Sequence, residues 1–366
     1  MQEFLKDHRW CYRRARSTLQ EHVALTLDGL PADDLGTVGI VDETGTVKKG
    51  TKTPGVQRQW CGERGKTENG VVTVHLGVAK GRCKTLVDGE LFLPQSWDQD
   101  RDRCQEAGIP EEVVCRPKWQ IALRQVVRAR ANGIGLDWLT FDEYYGAKPG
   151  FLRGLDEQGL PCVGEVPKSF RCFTAPPRAG QTSHRADNLV RHSPAFHQQP
   201  WQSFALARQT VGEQVWQVKA ARVWLRLEGA AGTGTYWLIG ARNERTAEEK
   251  YFISAGAEGA SLGLRLRVGF CRWNVEHSLR VSKSELGFRH FEGRNYTALM
   301  RHLTLCLITR TFVAGQAEGL RGEKSGGDGG ASLPRPQPRL CPLAADPAGD
   351  EFPAIHRGGH LLPPAA

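Results

Sequence analysis

Two short apolar runs limit what this chain can fold into more than any other feature. TVGIVDE (37–43) and LDWLTFDE (136–143) are each rich enough in β-branched and aromatic residues to be buried strands, and each exits into an Asp-Glu pair. Alternation along the first strand places Val38, Ile40 and Asp42 on one face. A carboxylate at the exit of a buried strand is costly unless it is paired, caps a helix or holds a cation. Taken singly, Asp42 or Asp142 reads most simply as a cap or turn residue. Two strands with the same ending lower the odds of coincidence.

The surrounding pattern predicts a mixed sheet. GVQRQWCG (55–62) and GVVTVHLGVAKG (70–81) read as strands that join the first in an antiparallel meander. Residues 118–133 read as a helix, with Ile121, Leu123, Val126 and Val127 as its apolar face and Asn132-Gly133 as its stop. A second helix around 151–158 and a strand at PCVGEVP (161–167) complete a strand–helix–strand alternation, which adds parallel strands to the meander. Five segments result: a basic helical start (1–36), the first part of a core (37–172), a β-rich insertion (173–258), returning core helices (259–314) and a tail (315–366). Helices are expected at about 261–286 and 295–313. The tail is so rich in Gly and Pro that it is expected to be disordered, since it cannot bury enough apolar surface to offset its ordering entropy.

Charge points to the partner. Lys and Arg total 49 against 40 Asp and Glu, a net +9 that suits a polyanion, nucleic acid first. No apolar run approaches the roughly 18 residues a membrane span needs, and MQEFLKDHRW lacks the order of a secretory signal. The cysteines are scattered without a C-x-x-C, which suits reduced thiols in a cytoplasm.

A third acidic element lies in RWNVEHSLRVSKSELG (272–287). At helical pitch Arg272, Glu276 and Lys283 form one stripe beside the apolar positions Val275, Leu279 and Leu286, where a helix edge would line a cleft. The plainer reading is a solvated Arg–Glu pair four residues apart. Two aspartates on strand ends and one glutamate on a later helix make the oxygen donor set that Mg²⁺ prefers. Two such ions serve phosphoryl transfer.

These residues resemble the DDE transposases of bacterial insertion sequences, closest to the insertion sequence seven-hundred-and-one group. The resemblance rests on GIVDETGTVKKGTKTPGVQRQWCGERGKTEN (39–69), LFLPQSWDQDRDRCQEAGIP (91–110), LTFDEYYG (139–146) and RWNVEHSLRVSKSELGFRHFEGRNYTALMRH (272–302). It implies an α/β, RNase H-like mixed sheet flanked by helices, with a β-rich insertion before the last catalytic helix. It further implies cutting and joining of double-stranded DNA with Mg²⁺ or Mn²⁺, two ions held by Asp42, Asp142 and Glu276. A homodimer on DNA, in the cytoplasm at the nucleoid, follows from the same likeness. Arg272 and Lys283 match the family's helix signature as DNA contacts, whereas the signature's Tyr position is Gly269 here.

Lys48, Lys49, Lys52 and Arg58 crowd the turn after Asp42, where they would clamp phosphates, and Trp237 would stack an extruded base. Trp60 and Trp138 read as core, and His184, His192 and His197 as solvated. Arg294 and the Arg301-His302 pair either reach DNA or cover surface. Two alternatives stay open. A remnant that binds DNA without cutting it is suggested by a shorter start and a tail unlike the family's. A sugar hydrolase would need two carboxyls facing an aromatic groove.

Overall fold

The computed structural model describes residues 2–325 except 32, 63–64, 209–211, 228–229 and 232–234. The chain opens with helices α1 (Gln2–Lys6) and α2 (Tyr12–Asp28), then strands β1 (Val38–Val47), β2 (Gln57–Cys61), β3 (Lys66–Lys80) and β4 (Cys83–Leu91). Helices α3 (Gln95–Asp98), α4 (Arg101–Glu106) and α5 (Lys118–Ala131) lead to β5 (Trp138–Phe141), α6 (Glu143–Gly146), α7 (Pro149–Glu157) and β6 (Cys162–Val166). The next stretch holds a small ladder, β7 (Arg171–Cys172) with β8 (His184–Arg185), then helices α8 (Ala186–His192) and α9 (Pro194–His197). Strands β9 (Gln202–Arg208) and β10 (Gly212–Val223) follow, then a second small ladder, β11 (Arg226–Leu227) with β12 (Ala230–Ala231). Strands β13 (Tyr236–Asn243) and β14 (Glu249–Ala255) and helices α10 (Leu262–Phe270), α11 (Trp273–Ser284) and α12 (Tyr296–Ser325) complete the described chain.

Ten strands form one mixed sheet in the order β2-β3-β1-β5-β6-β14-β13-β10-β9, with β4 also paired to β3. β1, β5 and β6 run parallel, and the remaining pairs are antiparallel. This is the α/β architecture expected, a large mixed sheet flanked by helices. Its centre is dry: Val38, Val41, Val74, Leu76, Leu139, Phe141 and Val163 are wholly buried, each worth roughly 1.5–3 kcal/mol of hydrophobic stabilisation. No helix among the described residues is long and apolar enough to cross a membrane.

Several expectations need correction. The first three strands do not form a meander in sequence order, because β1 pairs with β3 rather than β2. The segment between them turns through Gly50 and Gly55, both at positive φ (77° and 76°), and brings β2 to the other side of β3. Strand β4 went unread because Lys84, Asp88 and Glu90 interrupt its apolar pattern. Helix α5 ends at Asn132-Gly133 as predicted, but its buried face is Ile121, Ala122, Gln125, Val126 and Ala129, while Val127 is 52% exposed. Gln125 is tolerated inside because its amide donates to the Val74 carbonyl at 2.8 Å.

The 173–258 stretch is β-rich, yet β14, β13, β10 and β9 continue the central sheet outward from β6 instead of standing apart from it. The helical stretch expected at 261–286 is divided at Cys271-Arg272 into α10 and α11. Helix α12 runs on to Ser325, beyond the expected start of the tail. The rest of the tail, residues 326–366, lies outside the described residues.

Candidate active site

Strand register gathers the carboxylates. Ile40 is level with Thr140, and Phe141 with Gly164. Carried onward, the same register sets Asp42, Asp142 and Glu165 in one row, neighbours about 4.8 Å apart. Asp142 lies just past β5 and Glu165 near the end of β6. Asp42, expected to close its strand, is instead midway along β1, which runs on to Val47 against β3. Asp142 keeps an extended backbone (φ −86°, ψ −179°), so the row holds one residue beyond β5. Gly164 permits this tight packing: a Cβ there would lie 1.8 Å from the Phe141 ring.

Each carboxylate has a distinct surrounding. Asp42 is buried, and its Oδ1 accepts the Glu43 backbone N–H at 2.7 Å. Burial, then the charge of Asp142, pushes its pKa up to about 7, against the pull of Arg272 and that N–H. Asp142 caps α6, accepting from the N–H groups of Tyr144 (3.0 Å) and Tyr145 (3.3 Å). Both bonds end on Oδ1, so Oδ2 is not committed to the cap. Its pKa is also raised, by burial first, with Glu165 adding to the effect. The cap reading and the site reading of Asp142 are therefore compatible.

Glu276 sits in the first turn of α11 with its side chain 50% exposed. Arg272 links the helix to the row: its Nη1 lies 2.5 Å from Glu276 Oε1 and 3.9 Å from Asp42 Oδ2. Burial opposes its charge, but Glu276, Asp42, Glu165 and Asp142 together hold its pKa above the ordinary value. On the other face of β1, Glu43 pairs with Lys118 at 2.5 Å and accepts from the Tyr145 hydroxyl.

Sequence reading missed Glu165, which stands near the end of β6 in the same row as Asp42 and Asp142. Its Oε1 meets Lys250 Nζ of β14 at 2.5 Å. Also missed was His75, the cross-strand partner of Asp42. His75 shares a 2.7 Å hydrogen bond with Thr73, and its ring stacks on Phe288 at 5.4 Å. Burial, aided by the Lys283 charge, pushes its pKa down to about 4. Lys283 thus lies toward His75, on the Asp42 side of the sheet. The Tyr position of the expected helix signature, Gly269, is closed to a side chain: a Cβ would stand 3.1 Å from Phe252 and 3.2 Å from Val163.

The expected DNA contacts separate into two kinds. Lys49 and Arg58 are exposed and have no ion pair among the described residues. Lys48 instead donates to the carbonyls of Arg289 (3.0 Å) and Phe291, which ties the turn to the loop after α11. Lys52 pairs with Glu106 at 2.8 Å. Trp237 is half-buried, with the Arg222 guanidinium 4.4 Å from its ring centroid, so a cation already covers it.

Trp138 is core, at 5% exposure, but Trp60 is 64% exposed, because β2 is a short strand at the sheet edge. His184, His192 and His197 are exposed, as is Arg294. Arg301 is buried and donates to the carbonyls of Leu5, Lys6 and Trp10, anchoring α1 rather than reaching outward.

The donors around Arg272 are all carboxylate oxygens, the chemistry of a hard divalent cation. Among the described residues no three His, Cys, Asp or Glu side chains are close enough to cage an ion as they stand. A guanidinium lies between Asp42 and Glu276 instead, a cation in the position where the oxygens call for one. The donor set fits a divalent ion in kind.

Comparison with known proteins gives two likenesses. A family model described as DDE superfamily endonuclease matches residues 1–223, which include Asp42 and Asp142 and stop short of Glu276. A relative named as the probable transposase for insertion sequence element IS701 of Microchaete diplosiphon is 26% identical over 317 residues. That alignment covers 84% of this chain and 73% of the relative.

Proposed function

This chain belongs to the DDE superfamily endonucleases, and from that premise we propose that it is a DNA transposase that cuts at insertion-sequence ends and joins them to a target. The supporting observation is the convergence of Asp42, Asp142 and Glu276, remote in sequence, around the single guanidinium of Arg272. In this reading water displaces a 3′ oxygen from a phosphodiester, leaving a 5′ phosphate and a 3′ hydroxyl at the element end. That hydroxyl then attacks a target phosphodiester, forming the new P–O bond while a target 3′ hydroxyl leaves.

Asp42, Asp142 and Glu276 would hold Mg²⁺ or Mn²⁺, and two such ions supply Lewis acidity to the attacking and leaving oxygens. The chain's own residues do the rest. Two backbone N–H groups fix the Asp142 carboxylate through Oδ1, leaving Oδ2 for the site. Asp42 gains from a nearby cation because burial and Asp142 make its negative charge costly. Glu276, half exposed on α11, meets the DNA side of the site. Arg272, which now neutralises Asp42 and Glu276, would be available to a DNA phosphate where a metal ion held those carboxylates. Exposed Lys49 and Arg58 neutralise backbone phosphates beyond β1.

The test is strand nicking of a duplex that carries the element ends, with Mg²⁺ or Mn²⁺ present. Asp142→Asn should lower the rate at least a hundredfold with DNA affinity retained. An Asp142→Asn protein that nicks as fast as the wild type overturns the reading. Wild-type protein that binds but never cuts returns it to the DNA-binding remnant.

A further inference from the structure

Trp60 is the most exposed aromatic ring on the sheet among the described residues, at 64% exposure, and two exposed cations, Arg58 and Lys49, stand near it in the hairpin. It borders a shallow depression with Thr46, Val47, Gln59 and Glu68, where Val47 is itself 42% exposed. Arg58 lies two residues away on the same face of β2, since side chains alternate along a strand. Arg58 is the cross-strand partner of Asn69, whose side-chain amide donates to the carbonyls of Lys48 and Gly50, so Lys49 flanks it as well. Neither Arg58 nor Lys49 has an ion pair among the described residues. Lys66 at the end of the hairpin is already matched by Glu68 at 2.9 Å.

An exposed indole beside two unmatched cations is the combination that holds a nucleic-acid strand: a ring to stack on a base and charges for its phosphates. Bases inside a duplex already stack on each other, so the ring's partner is an unpaired base. The place suits the reaction. Val47 is five residues past Asp42, about 16 Å along the strand, or roughly half a duplex turn. We propose that Trp60 stacks an unpaired base of the DNA strand beside the cleavage site, with Arg58 and Lys49 holding its phosphates. This rests on the transposase reading and adds a single-strand subsite to it.

The test uses the full chain in EDTA, so that nothing is cut, with two fluorescein-labelled probes. One is a 20-nucleotide single strand of mixed sequence, and the other is the blunt duplex of that sequence. Trp60→Ala should weaken single-strand binding about tenfold, within the range that loss of one stacked base gives. Trp60→Phe should retain most of the affinity, and duplex binding should change less than twofold. A single strand carrying 5-iodouracil should photo-crosslink to the peptide containing Trp60.

Wild-type protein that binds neither probe would sink the DNA reading and this inference with it. Wild-type protein that binds both, with Trp60→Ala unchanged on the single strand, overturns the inference alone. A Trp60→Ala protein that loses self-association by light scattering but keeps its single-strand affinity assigns the ring to a second copy of the chain, and overturns it too.

Discussion

Among the carboxylates of the candidate site Asp42 has the largest resolved consequence of burial, and its pKa makes it testable without DNA. A carboxyl raised from the ordinary range to about 7 in the folded chain favours the native state while protonated. The cost accrues as pH rises from the ordinary carboxylate range to about 7 and is complete above it. In cation-free protein, Asp42→Asn should therefore raise the melting temperature at pH 8, at roughly 2–4 °C per kcal/mol recovered. The gain should shrink as pH falls to 5, and differential scanning calorimetry in EDTA measures it. In the wild type, Mn²⁺ should bind more weakly below about pH 7, because it must then displace a proton. An Asp42→Asn protein with unchanged stability at both pH values would place the carboxyl in solvent. Nothing in the residue string gives this shift: TVGIVD supplies the aspartate and its strand, but the cost of its charge comes first from burial by the assembled fold and then from Asp142, a hundred positions away.

At the scale of elements, the parallel core was legible and the edges were not. β1, β5, α5, α7 and β6 stand where apolar runs and stop residues place them, because each is decided by its own local pattern. β4 was hidden since its pattern is completed by other elements. Asp88 is wholly buried on it, meeting Arg128 at 2.8 Å, Arg16 at 3.3 Å and the Gln20 amide at 2.9 Å. Burial opposes the Asp88 charge, but Arg128 and Arg16 hold its pKa below the ordinary value, so the network stabilises above the usual carboxylate range and fails in acid. Asp88→Ala would strand the Arg16 guanidinium between α2 and the sheet and leave Arg128 with Glu90 as its ion-pair partner. It should cost roughly 3–5 kcal/mol in urea unfolding and open α2 first to limited proteolysis. Arg301, read as either a DNA contact or surface cover, and Lys48, read as a phosphate clamp, escaped the sequence for the same reason: their partners are carbonyls far along the chain. Of the carboxylates gathered at the candidate site, Asp42, Asp142 and Glu276 were picked out from two Asp-Glu pairs and a helix pitch, although Asp42 sits midway along β1 rather than at its end. Glu165 needed the register of β5 on β6.

Across the whole molecule, a net +9 makes DNA affinity salt-dependent, and the slope counts the cations engaged. Replacing Lys49 and Arg58 together should flatten the plot of log affinity against log salt by about 2. Lys48→Ala should leave the slope alone and lower thermal stability, as its bonds to Arg289 and Phe291 imply. The continuous sheet has a last effect, on delivery. The four strands beyond β6 return the chain along β14 to the level of Cys162, the far end from the carboxylates. Helix α10 starts from there: Arg265 in its first half bonds Ser254 and the Gly256 carbonyl. It then climbs the sheet to set Arg272 and Glu276 beside Asp42. The antiparallel pairing of β14 with β6 fixes that exit pole, and strands gained or lost at the outer edge beside β9 leave it in place. Length changes should thus be tolerated at that outer edge and fatal between β14 and α10, where the helix takes its start.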